Sequence, residues 1–151
     1  MVYASSKSSR YAISEVSSPA WLAAIERIIE TFWVGALWAV GYLAAPVLFA
    51  GLDNHALAGQ LAGAMFTRVG WLSLLTAAML LVLQWRRGDL QRWRTGLIVA
   101  MLALIVIGEY WLRPQMASAM PADFGRLHGI AQGVYLVVSL LGLVLIAAPR
   151  R

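Results

Sequence analysis

Apolar positions in this chain run on without interruption instead of alternating. Residues 31–52, 69–85 and 129–148 hold no Asp, Glu, Lys or Arg, and residues 95–112 hold only Glu109. Each run is close to the roughly 20 residues, at ~1.5 Å rise apiece, that an α-helix needs to cross a hydrocarbon layer of ~30 Å. Helices are the form required, because lipid offers no partner to an unpaired backbone amide and the alternation of a barrel strand is missing. The pattern predicts an all-α, four-helix transmembrane bundle over residues 19–149, with spans at about 31–52, 60–85, 95–112 and 128–148.

Ahead of the first span, residues 1–18 are rich in Ser and lack an apolar run, which predicts a polar flexible tail and not a cleavable signal sequence. Ser18 is placed to cap a helix whose first position is Pro19, where a missing N–H costs nothing. Trp21, Leu22, Ile25, Ile28, Ile29 and Phe32 then recur at intervals of three and four. That spacing predicts an amphipathic lead-in to helix one, lying along the membrane surface. Pro46 predicts a bend near the outer end of helix one. Asp53 and Asn54 are suited to cap helix two, leaving His55 as an exposed loop residue.

Composition agrees with a lipid solvent: of 151 residues, 61% are hydrophobic and 13% charged. Cysteine is absent, which removes disulfides, thiolate metal sites and a thiol nucleophile from consideration. Charge then sets the orientation. Four spans place both termini and the 86–94 loop on one side, and that side collects nine of the twelve basic residues: Lys7, Arg10, Arg27, Arg86, Arg87, Arg92, Arg94, Arg150 and Arg151. Short basic loops stay in the cytoplasm, so both termini are expected inside a bacterial inner membrane. This asymmetry accounts for the net charge of +5 and leaves no basic module for nucleic acid.

Polar residues within the spans are the candidates for chemistry. Counted from the inner arginines at ~1.5 Å per residue, Arg68 stands roughly 27 Å up helix two, Glu109 and Arg113 roughly 22 and 28 Å up helix three, and Gln132 roughly 27 Å down helix four, with His128 a turn beyond. These heights predict an outer-leaflet polar cluster of Arg68, Glu109, Arg113, His128 and Gln132, in which Glu109 pairs with Arg68 across helices and Arg113 competes or adds a bond. Small residues allow close helix approach in lipid, and Gly59, Gly63, Gly125, Gly129 and Gly133 fall at four-residue steps. These stripes face each other, helix one, or a second copy of the chain. Glu26 and Glu30 read as an electrostatic cap on the first turns of helix one. No nucleophile elbow, phosphate loop, zinc signature or dinucleotide fingerprint is present, so no catalytic residue is assigned.

The stretches WVGALWAVGYLAAPVLFAGL, AGQLAGAMF and RLHGIAQGVYLV resemble the bacterial relatives of transmembrane protein 205, a family of unknown function, over residues 33–146. The resemblance implies a four-helix integral membrane domain. The fold is also similar to copper-resistance D-like membrane proteins, a group that includes a haem-binding protoporphyrinogen oxidase. That likeness implies an intramembrane haem or copper bound through His55 and His128. Two functions follow: a small non-catalytic inner-membrane protein, acting as a helical module of a larger assembly or as a homo-oligomer that handles a small solute, ion or lipid; or a haem- or copper-binding redox protein.

Overall fold

The computed structural model describes residues 20–87 and 92–148, and all of its regular structure is helical. The predicted tail at 1–18 lies outside the described residues. Helix α1 covers residues 20–51, α2 His55–Arg87, α3 residues 92–118 and α4 Pro121–Ala147. Four stretches, Trp21–Gly51, His55–Arg86, Arg92–Ser118 and Ala122–Ala147, are long and apolar enough to cross a membrane. Each outruns the span that charge-free sequence alone marks. The 33 residues of α2 reach about 50 Å, so its ends project beyond a ~30 Å hydrocarbon layer.

Consecutive helices are antiparallel and form a ring: α1 packs on α2 and α4, and α3 packs on α2 and α4. Both described chain ends therefore lie at one end of the bundle, the terminal end, and the turns at 52–54 and 119–120 lie at the other, the far end. Asn54 holds the first of these turns by accepting the Leu57 amide at 3.0 Å. It caps α2 as the sequence suggests.

The lead-in is not a separate surface element, because the helix from Ala20 runs straight into the span. Its apolar stripe faces outward: Trp21, Ile25, Ile28 and Phe32 are exposed, while Glu26 and Glu30 point inward and are buried. The reason is the solvent. Against lipid the greasy face is the outer one, and the polar groups seek each other inside.

The core follows from this inversion. Trp33, Val34, Leu37 and Val40 of α1 meet Val69, Ala77 and Leu80 of α2, Ile98 and Met101 of α3, and Val138 and Leu145 of α4. Trp33 donates its indole N–H to Ser73 Oγ at 2.8 Å, and Ser73 in turn donates to the Val69 carbonyl at 2.7 Å, so a buried Trp is satisfied between α1 and α2. Tyr135 of α4 lies over Gly41, where any Cβ would collide with its ring, and its hydroxyl donates to the Leu37 carbonyl. Tyr42 stacks edge-on to Tyr135 at 5.8 Å and donates to Ser139 Oγ at 2.9 Å. Gly142 is the second close approach, where a Cβ would stand 2.9 Å from Val34 and 3.3 Å from Met101.

Two helices carry a widened turn. Ala39–Ala44 of α1 and Ile107–Leu112 of α3 are π-helical, closed by amides that reach back five residues, Ala45 to Val40 and Arg113 to Gly108. Pro46 and Pro114 follow two residues after each π segment. A proline has no amide to donate and pushes against the carbonyl four residues earlier, here Tyr42 and Tyr110, and both of those sit within the widened turns. Upstream of Pro46 the helix thus carries an extra residue in its turn.

Close approach at two glycines gives a direct expectation. Gly41→Val and Gly142→Val should each lower stability by about 1–3 kcal/mol through overpacking, whereas Gly129→Ala, facing open space, should not. Thermal unfolding midpoints of the three variants in one detergent check it.

Candidate functional site

Polar side chains gather at two levels of the bundle. The more deeply buried set is at the terminal end. Arg94 of α3 reaches diagonally through the ring to Glu30 of α1, its Nη2 donating to both carboxylate oxygens at 2.7 and 2.9 Å. The two side chains are 4% and 1% exposed. Nη1 points toward the Ala148 carbonyl at the end of α4, at 3.5 Å, and the guanidinium stands 5.3 Å from the Trp93 ring. Beside this tie, Thr95 donates to Gln84 at 2.7 Å, joining α3 to α2, and Glu26 is also buried. Four helices are therefore bound together by one guanidinium and its neighbours.

Sequence reasoning placed Arg94 in a solvated loop and Glu30 in a helix cap, and the structure corrects both. The signal was present: Glu26, Glu30, Trp33 and Leu37 share one helical stripe at steps of four, three and four, and the last two are core. A cation the chain buries inside the ring is no longer a marker of the membrane surface.

The second level lies toward the far end. Glu109 of α3 accepts at Oε1 from Thr67 of α2 and from Arg113 one turn along its own helix. Arg113 also donates to Thr67, whose hydroxyl lies between Glu109 and the Gly63 carbonyl. The guanidinium rests on Gly63, with Nη2 2.8 Å from where a Cβ would be. The π turn at Ile107–Leu112 contains Glu109 and delivers it to this contact.

Arg68 is the correction here. It does not pair with Glu109; its neighbour Thr67 does, and Arg68, turned by about 100° on a 3.6-residue helix, is exposed on the outer face of α2. A threonine brings one neutral hydroxyl to the carboxylate, whereas an arginine would have to surrender its hydration. The arginine's long stem instead lets its head rise toward the headgroups.

His128 and Gln132 are brought together, but with each other: their side chains meet at 3.2 Å on the exposed face of α4. His128 stacks on Phe124 at 5.8 Å, and His55, at the head of α2, stacks on Phe49 of α1 at 6.5 Å. With its Nε2 engaged by Gln132, His128 shares no contact with His55. Each histidine is thus held by neighbours of its own, His128 by Gln132 and Phe124 and His55 by Phe49. Among the described residues no three His, Asp or Glu side chains converge on a metal position.

Of the small-residue positions, Gly59 faces Phe49 at 3.9 Å and Gly63 faces Arg113. Gly125, Gly129 and Gly133 face open space, and among the described residues no helix closes on that stripe.

These features define an all-helical, multi-pass membrane protein with a sealed ionic tie at one end and a half-open carboxylate at the other. The chain belongs to the family described as a domain of unknown function, DUF4149, which matches residues 29–125, from the buried end of α1 into the first turns of α4. No curated protein matches the chain, and no solved structure does.

Removing one partner of a buried ion pair is strongly destabilising, by about 3–5 kcal/mol. Arg94→Leu should therefore fall sharply in thermal midpoint, and Glu30→Leu with Arg94→Leu should recover most of that fall. Arg68→Leu should leave the midpoint unchanged, because its side chain is exposed and has no partner among the described residues. Thermal scans of the single and double variants in detergent decide both.

Proposed function

We propose that this protein is a non-catalytic component of a bacterial inner membrane, with both termini in the cytoplasm, which handles a small lipid-soluble molecule through the polar level near its far end. The observation that carries the reading is Glu109. A carboxylate meant only to hold helices together is best sealed on all sides, as Glu30 is. Glu109 is instead 18% exposed and lines an indentation between α2 and α3 that opens sideways. An ionisable group at membrane depth is expensive to keep there, and a group kept accessible to lipid has a use for that access. Arg68, His128 and Gln132 are exposed on other faces toward the same end and add polar character to that level of the bundle.

The open stripe of Gly125, Gly129 and Gly133 supports assembly, either with a second copy or inside a larger membrane complex, since backbones approach closely in lipid only where side chains are absent. Arg27, Arg86 and Arg92, exposed at the terminal end, support the cytoplasmic placement of that end. Kinship with transmembrane protein 205 relatives and the copper-resistance D-like fold remains part of this reading at the level of architecture.

Two measurements test it. The chain has no cysteine, so single cysteines at Ala119 and Gly88 report sidedness directly. Membrane-impermeant maleimide should label Ala119→Cys from the periplasm and Gly88→Cys only after lysis; the reverse would invert the topology. For the handled molecule, the protein and its Glu109→Gln variant are isolated in native nanodiscs and their small lipophilic contents compared by mass spectrometry. At least one species should be enriched with the protein and depleted in the variant, and identical contents would reject the reading.

A further inference from the structure

The indentation beside Glu109 is a groove of about 260 Å³ between α2 and α3. Its polar end is Glu109 with Thr67, its sides carry Trp71 and Tyr110, and its apolar end is formed by Leu74 and Ile105. The two rings are 61% and 59% exposed, so they flank the opening and are not packed into the core. Gly70 also lines it, and a Cβ there would meet nothing within 4 Å, which gives the groove its depth.

Four properties restrict the occupant. Glu109 lies nine residues from Ser118, roughly 14 Å below the end of α3, so whatever enters comes sideways from the lipid. The volume is below the roughly 300–1,000 Å³ of sites for drug-sized molecules, which admits one ring while a tail lies outside. Both bonds to Glu109 fall on Oε1, and among the described residues Oε2 takes none. An ionised carboxylate only accepts, so the head must donate. Arg113 already balances the charge of Glu109, so a cationic head would gain little and bring an unpaired charge with it. A neutral O–H on a flat ring satisfies all four.

We propose that this groove binds the reduced, hydroquinone form of a membrane-dissolved ring amphiphile. One phenolic O–H donates to Glu109 Oε2, the ring lies between Trp71 and Tyr110, and the tail leaves along Leu74 and Ile105 into the acyl chains. The π turn of α3 sets the height of the carboxylate, and Thr67 and Arg113 hold Oε1, which leaves Oε2 for the incoming donor. The inference rests on the reading that the far-end polar level handles a lipid-soluble molecule, and it names the class.

The test uses the full chain in nanodiscs with isotope-labelled decylhydroquinone under argon, against empty nanodiscs. Binding should saturate. Decylquinone, which has no O–H, should bind at least about ten-fold more weakly, the difference that one hydrogen bond to a charged group supplies. Glu109→Gln should weaken hydroquinone binding by a similar factor. Gly70→Leu should fill the groove and abolish binding while leaving the thermal midpoint in place, and Trp71→Leu, an exposed change, should weaken it without touching Glu109. Equal affinity for quinone and hydroquinone, binding that survives Gly70→Leu, or displacement by decylammonium in preference to hydroquinone would each overturn the proposal. If hydroquinone fails while some other species still depends on Glu109 in native nanodiscs, the ligand class falls alone; if both fail, the broader reading falls with it.

Discussion

Hydrocarbon gives a charge nothing to bind, and the arrangement of this bundle follows from where its charges find one another. The Glu30–Arg94 pair is the central case. It spans the diagonal of the ring, between helices that are not neighbours, and its guanidinium also faces the end of α4. An apolar core would bring the helices together with little preference for their relative height, because the lipid tails they displace are as apolar as Leu. A bond between two buried ions tolerates little sliding. It therefore fixes the register of α1 against α3, and the Trp33–Ser73 and Thr95–Gln84 bonds carry that register to α2.

The two polar levels are built differently. At the terminal end the pair is enclosed by helix on every side. Toward the far end Glu109 and Arg113 belong to one helix and lean on a single threonine of the next, at side-chain exposures of 18% and 40%. The π turns sit toward the far end in α1 and α3, each just before its proline, so the regular part of both helices is the part that holds the tie. Regular helix fixes position, and the widened turns aim Glu109 and make room at Gly41 for Tyr135.

Four spans, their order and their antiparallel sequence were legible because charge-free length is a one-dimensional property, and lipid reads it in one dimension. Azimuth was not legible to the same degree. Counting residues put Arg68, Glu109 and Arg113 at one height, and Glu109 and Arg113 do meet. Height alone could not say that Thr67 faces inward and Arg68 outward. The stripe of Trp21, Ile25, Ile28 and Phe32 was readable as periodic, but in lipid a greasy stripe marks the outside as readily as the inside. The residues that betray the interior of such a helix are its few polar ones, Glu26 and Glu30. Glycine spacing had the same ambiguity: Gly125, Gly129 and Gly133 form the more regular series, yet Gly41 and Gly142, without a repeat, are where helices close. Their importance depends on Tyr135, Val34 and Met101, distant in sequence.

The diagonal tie also has a history within each molecule. Its partners are 64 positions apart, so the carboxylate of α1 is synthesised well before its guanidinium has been translated. The tie itself can close only when the third helix arrives. Maturation of the bundle is thereby coupled to completion of the chain, with the ribosome setting the earliest moment at which the four helices lock.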